Sequence, residues 1–452
     1  MGNGRIGMVA MVLAFAIAGC SSSAGSSVTS LPLAAPLATN DASTSPIRHV
    51  VFVIQENRSF NDLFMGYPGA TTQRYGYDEY GNKIALQPVG LVTDWDLAHD
   101  AIGFFSACDG TGKLPGTDCK MDGWNEELAS QGHPTNPAYA YVPRSEIRPY
   151  WTIAREYVLA DRMFASNLDG SFVAHQYAVA AFANRAVNYP VSTWGCEGGR
   201  QDTVATLTAQ RTYGPDIPAC FRNPTIADEA DSAGITWRFY AGTISGDGGF
   251  WSSYQADRNI FNGPDWKADV ISPQSAFLTD VAKGKLANVT WIAPTLEASD
   301  HAVLDQGQGP AWVASVVNAV GTSSFWKSTA IFVIWDDWGG WFDPVPPVHE
   351  DYDGLGFRVP LLIASPYAKP GYVSHVQYET SSVLRFIEDN FGLGQLAKSD
   401  ARANDPATDA FDYAQKPRAF KKIPGGKPPA YWIQLERSSS RRGRPPNILG
   451  DD

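Results

Sequence analysis

FVIQENRSFNDLF, Phe52 to Phe64, begins as a strand and turns polar at Gln55-Glu56-Asn57-Arg58-Ser59. With the residues before it, the run is His49-VVFVIQ, continuous, apolar and β-branched rather than alternating. A strand of that kind suits a sheet buried on both faces, which in practice means a parallel one. Four further runs read the same way: Ile235-TWRFY, Val289-TWIAP, Thr329-AIFVIW and Arg358-VPLLIAS. Helix-like segments separate them, among them Phe172-VAHQYAVAAFA, Trp312-VASVVNAV and Ser381-SVLRFIEDNF. Strands alternating with helices predict an α/β fold. In such folds the working residues lie just beyond the carboxyl ends of the strands.

The chain has 452 residues, 44% of them hydrophobic and 18% charged, the composition of a globular protein. Its net charge of −12 argues against a nucleic-acid polymer as partner, since a phosphate backbone calls for a basic footprint. Arg5 precedes an apolar run, Met8 to Ala18, too short for a permanent membrane span. Ile17-Ala18-Gly19-Cys20 then resembles a bacterial lipoprotein signal, with residues 1–19 removed and Cys20 lipidated as the membrane anchor; the alternative is an ordinary secretory signal cut nearby. Either way the chain is expected to be exported to the cell envelope. Residues 20–45, rich in Ser, Ala, Thr and Pro, read as a flexible tether. Residues 46–420 read as one catalytic domain, and residues 421–452 as a basic, Pro/Gly-rich and peripheral tail.

Apart from Cys20 the cysteines are Cys108, Cys119, Cys196 and Cys220. An even set in an oxidising compartment predicts two disulfides. Three pairings are possible; Cys108–Cys119 and Cys196–Cys220 are expected, because each pair brackets a Gly-, Pro- and Thr-rich loop.

The polar residues at the strand ends are the candidate site. Glu56 and Asn57 follow the first strand, Asp336 and Asp337 follow Thr329-AIFVIW, and Ser299-Asp300-His301 follow Val289-TWIAPT. Oxygen donors of this kind can hold a divalent cation. Each alone would read as a loop residue or a cap; together, each behind a core strand, they point to one rim. Asp169-Gly170 is a turn signal, and Ser171 stands where an apolar helix begins. A hydroxyl there meets unpaired backbone N–H groups and the positive end of the helix dipole. The alternative is that Ser171 is only an N-cap.

IQENRSFNDLFMG resembles the opening motif of the bacterial phosphoesterase family of phospholipases C and acid phosphatases, within the alkaline-phosphatase-like superfamily. Asp94-WDLAHD, Lys120-MDGW, Asp169-GSFVAHQY, Ser299-DHA, IFVIWDDWGGWFDPVPP from Ile331 and RVPLLIASPYAKPGYVSH are similar to family motifs in the expected order, over residues 46 to 395. The resemblance implies a three-layer α/β/α sandwich around a mostly parallel sheet. It also implies a metal site of Glu56, Asn57, Asp336 and Asp337, with Ser171 as metal-bound nucleophile and His99 and His301 near the substrate phosphate. The metal could be calcium, magnesium, manganese or zinc. His175, one helical turn beyond Ser171, reads as a supporting or packing residue, and Asp343 as a supporting carboxylate or additional ligand. His49, His133, His349 and His375 read as surface or structural.

Pro344 stands where many phospholipase-like members carry a histidine, and serine rather than threonine follows Asp169-Gly170. Both departures tilt the expectation toward a broad-specificity phosphatase, with phospholipase C as the alternative. Two other readings are open: a carbohydrate-active enzyme, suggested by 14 tryptophans and the paired acids, and a non-catalytic binding lipoprotein.

Overall fold

The computed structural model describes residues 45–191, 194–242, 251–303 and 307–439; the leader, Cys20, the tether before Ser45 and the chain from 440 lie outside the described residues. Eight strands form the central sheet: β1 (His49–Gln55), β2 (Val158–Ala160), β3 (Trp237–Tyr240), β4 (Val270–Ile271), β5 (Val289–Ile292), β6 (Thr329–Trp335), β7 (Leu361–Ala364) and β8 (Tyr372–Ser374). Their order is β4-β3-β5-β1-β6-β7-β2-β8. Strand β1 lies at the centre and pairs in parallel with β6 along its whole length, from His49↔Thr329 to Gln55↔Trp335. All five runs read from the sequence are strands.

One of them, β7, runs antiparallel to both neighbours. A parallel return would need a crossover that carries the chain back to the start of the sheet. Residues 336–360 contain no helix and stay at the carboxyl edge, so the chain re-enters the sheet from the edge it has just left.

Helices cover both faces, and the pleat shows which. Phe332 packs on Phe386 of the helix Ser381–Phe391, with tilted rings whose centroids are 4.8 Å apart. Its row neighbour across β1 and β5, Trp291, donates its indole N–H to Ala178 of the helix Ser171–Ala180. Trp335, three residues along and on the opposite face, packs edge-on against Tyr150 of the helix Arg148–Glu156 at 4.9 Å. The result is the expected α/β/α sandwich. A second apolar cluster, which includes Leu97, Phe104, Trp124, Trp338, Trp341 and Phe357, draws mainly on the segments that follow β1 and β6.

Both expected disulfides, Cys108–Cys119 and Cys196–Cys220, are formed. The segment from Lys421, expected at the periphery, belongs to the packed body as far as 439. Ile423 and Trp432 are buried, and Trp432 meets Trp312 at 5.0 Å and donates to Ser315 Oγ at 3.0 Å. Its proline-rich composition concealed the helix Pro429–Ser439, which begins with proline where the missing N–H costs no bond.

Candidate active site

The first strand ends by turning sharply. Asn57 sits at φ 58°, a left-handed conformation that asparagine tolerates better than most residues, and this bends the chain away from the sheet. The rest of the motif holds that bend. Arg58, fully buried, donates to the carbonyls of Asp300 (2.8 Å) and Leu91 (2.5 Å) and lies over the Trp341 ring. Ser59 caps the short helix Phe60–Phe64 by accepting from Asp62 N, and it donates to the Phe342 carbonyl. Gly339, at φ 62°, belongs to the same arrangement: a Cβ there would collide with the Asn57 carbonyl. The Trp-Gly-Gly turn therefore lets the loop after β6 lie directly on the loop after β1.

This close approach brings the candidate side chains together. The Asn57 backbone N–H donates to Asp336 Oδ1 at 3.0 Å, and Asp336 N donates to the Gln55 carbonyl. Glu56 Oε1 lies 3.1 Å from His175 Nε2, and Asp336 Oδ2 lies 3.8 Å from the same nitrogen. Ligand atoms of Glu56, His175 and Asp336 all lie within 4.8 Å of one another. Beside them, Ser171 Oγ stands 3.4 Å from Asp337 Oδ2 and 3.5 Å from Asn57 Oδ1. Asn57 Nδ2 donates to His99 Nε2 at 2.5 Å, while His99 Nδ1–H donates to the Leu97 carbonyl. The His301 ring is edge-on to His99 with centroids 5.7 Å apart, and its Nδ1–H donates to the Ala302 carbonyl. All eight side chains are at most 1% exposed.

Ser171 is not a cap. Gly170 occupies the N-cap position, without a side-chain bond, and Ser171 is the first residue inside the helix. Asp169 accepts from the backbone N–H groups of Gly170 and Asn188, which fixes the turn; burial pushes its carboxyl well above the ordinary range. The hydroxyl thus has no local structural duty.

Two carboxylates and an imidazole, buried around one point, fit a divalent cation. Asp336 Oδ2 receives no hydrogen bond among the described residues, an expensive state for a buried carboxylate that a cation would relieve. His175, read from the sequence as a supporting residue, completes this group. The available signal was its spacing of four from Ser171, which places both on one helix face.

Other candidates are structural. Asp343, weighed as an additional ligand, is held by Arg358 (Nε to Oδ1 3.0 Å) and by the N–H groups of Asn61 and Val345. Asp300 accepts from Tyr150 and Trp335, and burial pushes its carboxyl up to about 6. His49 bonds the Ala287 carbonyl, His133 the Pro134 carbonyl, and His375 pairs with Asp161.

Residues 47–394 match the family model described as the Phosphoesterase family. Among curated proteins, the chain is 23% identical to Phospholipase C B of Mycobacterium tuberculosis (strain ATCC 25618 / H37Rv), over 83% of this chain and 79% of that one. It is 26% identical to the Non-hemolytic phospholipase C of Pseudomonas aeruginosa, over 84% and 59%, and 24% identical to Non-specific phospholipase C1 of Arabidopsis thaliana, over 79% and 70%. A solved protein in the alkaline phosphatase superfamily from Vibrio parahaemolyticus aligns over 81% of this chain and 71% of that one, with a TM-score of 0.36 and 12% identity, too distant to carry an argument. The family match spans most of the chain and contains every candidate ligand and the serine, so the chain belongs to the phosphoesterase family, hydrolases of phosphate esters.

Proposed function

We propose that the protein is an exported, metal-dependent phosphatase of broad specificity that works through Ser171. The observation that carries this reading is the position of Ser171 Oγ: first turn of a helix, uncommitted to capping, and beside both Asp337 and the Glu56, His175 and Asp336 group. A divalent cation held there would neutralise phosphoryl oxygens and lower the pKa of the serine hydroxyl. The imidazole in the group favours a transition ion over calcium or magnesium, which prefer oxygen alone.

The chain's own residues do the rest. The N–H groups at the start of the helix Ser171–Ala180 and its dipole draw the phosphate toward Oγ. Asp337 Oδ2, at 3.4 Å, is the carboxylate placed to accept the hydroxyl proton. Oγ then bonds to phosphorus as the ester P–O bond breaks, and the bonding pair leaves with the departing oxygen. Nδ1–H of His301 is committed to a main-chain carbonyl, so a proton taken up from solvent sits on Nε2, and the imidazolium delivers it from there to that oxygen. Water displaces Ser171 from the phosphoserine and releases phosphate.

The enclosure of all eight side chains suits a bare phosphate monoester, and so does the serine at position 171. The second reading is phospholipase C, favoured by the names of the curated relatives. Attachment to a membrane through lipidated Cys20, and an oxidising compartment, accompany both; the two closed disulfides agree with the latter. The test compares an aryl phosphate, nucleotide monophosphates and phosphatidylcholine, before and after chelation and metal replacement. Metal-restored turnover of the monoesters is expected; faster release of diacylglycerol from phosphatidylcholine would assign the second reading, and turnover indifferent to chelation would end the metal-dependent one.

A further inference from the structure

We propose that a groove at the edge of the sheet opposite the active site docks onto the surface of an anionic phospholipid bilayer. The groove, about 580 Å³, lies between the helices Ala276–Ala282 and Gly309–Gly321 and the segment Lys422–Pro429. Its lining is mixed: Leu278 and Val281 are buried beneath it, and Ser315, Asn318, Thr322 and Ser324 bring polar groups to it.

Charge singles this place out. Lys422 and Lys427 line the groove; Lys283 and Lys285 flank its lining residue Gly284, and Lys327 lies in the short helix Ser324–Ser328. All five are exposed, and none forms an ion pair among the described residues. The acidic groups on the adjoining helices are committed elsewhere: Asp280 accepts from Tyr240, and Glu436 is buried against Ser275. Between Lys421 and Ser439 the described chain has four basic residues and one acidic, in a protein whose net charge is −12. A patch of unpaired cations confined to one face of an acidic molecule matches a flat surface of anionic headgroups, which touches that face alone, better than a flexible polyanion, which would also meet the acidic remainder.

The chain enters the domain at this same edge. Arg48 N donates to the Ser328 carbonyl and Val50 N to the Asn288 carbonyl, at the starts of β6 and β5, whereas the catalytic groups follow the strands' opposite ends. A bilayer against the groove leaves the active site facing away from it.

The experiment uses the chain from Ser21, which carries no acyl group, and sediments it with phosphatidylcholine vesicles with and without phosphatidylglycerol. Binding is expected only to the anionic vesicles and only at low salt. Lys422→Glu with Lys427→Glu should weaken partitioning by roughly 25-fold or more, at about fivefold per lysine near an anionic surface, with aryl-phosphate turnover and melting temperature unchanged. Equal binding to both kinds of vesicle, binding to neither, or wild-type partitioning by the double variant would each overturn the proposal.

Discussion

Ser171→Ala separates chemistry from structure at one atom. Because Gly170 rather than Ser171 caps the helix, the substitution removes no capping bond, and alanine favours the helix. The melting temperature should therefore hold while turnover of an aryl phosphate falls by several orders of magnitude, as for other covalent catalysts. Near-normal turnover would leave water, not serine, as the nucleophile. Asp336→Asn and His175→Gln test the neighbouring group: each should lower bound metal, measured by elemental analysis, with the fold retained by circular dichroism. Unchanged metal content in His175→Gln would return that histidine to a supporting role. At this scale the candidate residues Glu56, Asn57, Asp336 and Asp337 were legible because they stand directly behind unmistakable core strands. His175 was less so, since a histidine inside an apolar helix carries no sign that Glu56, 119 residues away in the chain, faces it.

The helix Pro429–Ser439 is the element that composition hid and packing reveals. Trp432→Ala would empty a buried site between this helix and Trp312, at a cost of about 3–5 kcal/mol; a melt shift of under a degree would show that the helix contributes little. Glu436, on the same helix, accepts from Ser275 N at 2.9 Å, and burial pushes its carboxyl up to about 7 from an ordinary 4.5. The unfolded chain ionises this group first as pH rises, so its contribution to stability is complete below about 4.5 and declines through about 7. Glu436→Gln should flatten that part of the stability-against-pH curve; an unaltered slope would place the titration elsewhere. Strands were easier to read than their directions. A continuous apolar run looks the same in either orientation, so β7 gave no sign that it runs backwards, and β2, three residues long, offers no pattern at all.

For the whole molecule, composition and strand-helix alternation sufficed to indicate one α/β body, whereas the extent of that body toward the C-terminus depended on contacts between segments over 100 residues apart, such as Trp432 with Ser315. The disulfides were legible for the opposite reason: each joins cysteines near in sequence, 11 and 24 residues apart. Each is worth about 2–4 kcal/mol, and non-reducing peptide maps should contain both; free thiols at all four positions would refute an oxidising compartment. The pairing also has an order to it. If the chain is threaded N-terminus first through a translocation channel, with Cys20 taken up by lipid, Cys119 and Cys220 each emerge with their correct partner as the most recent unpaired thiol. Oxidation in order of emergence then gives the native bonds directly, so biogenesis should depend on a thiol oxidase and be indifferent to the loss of a disulfide isomerase.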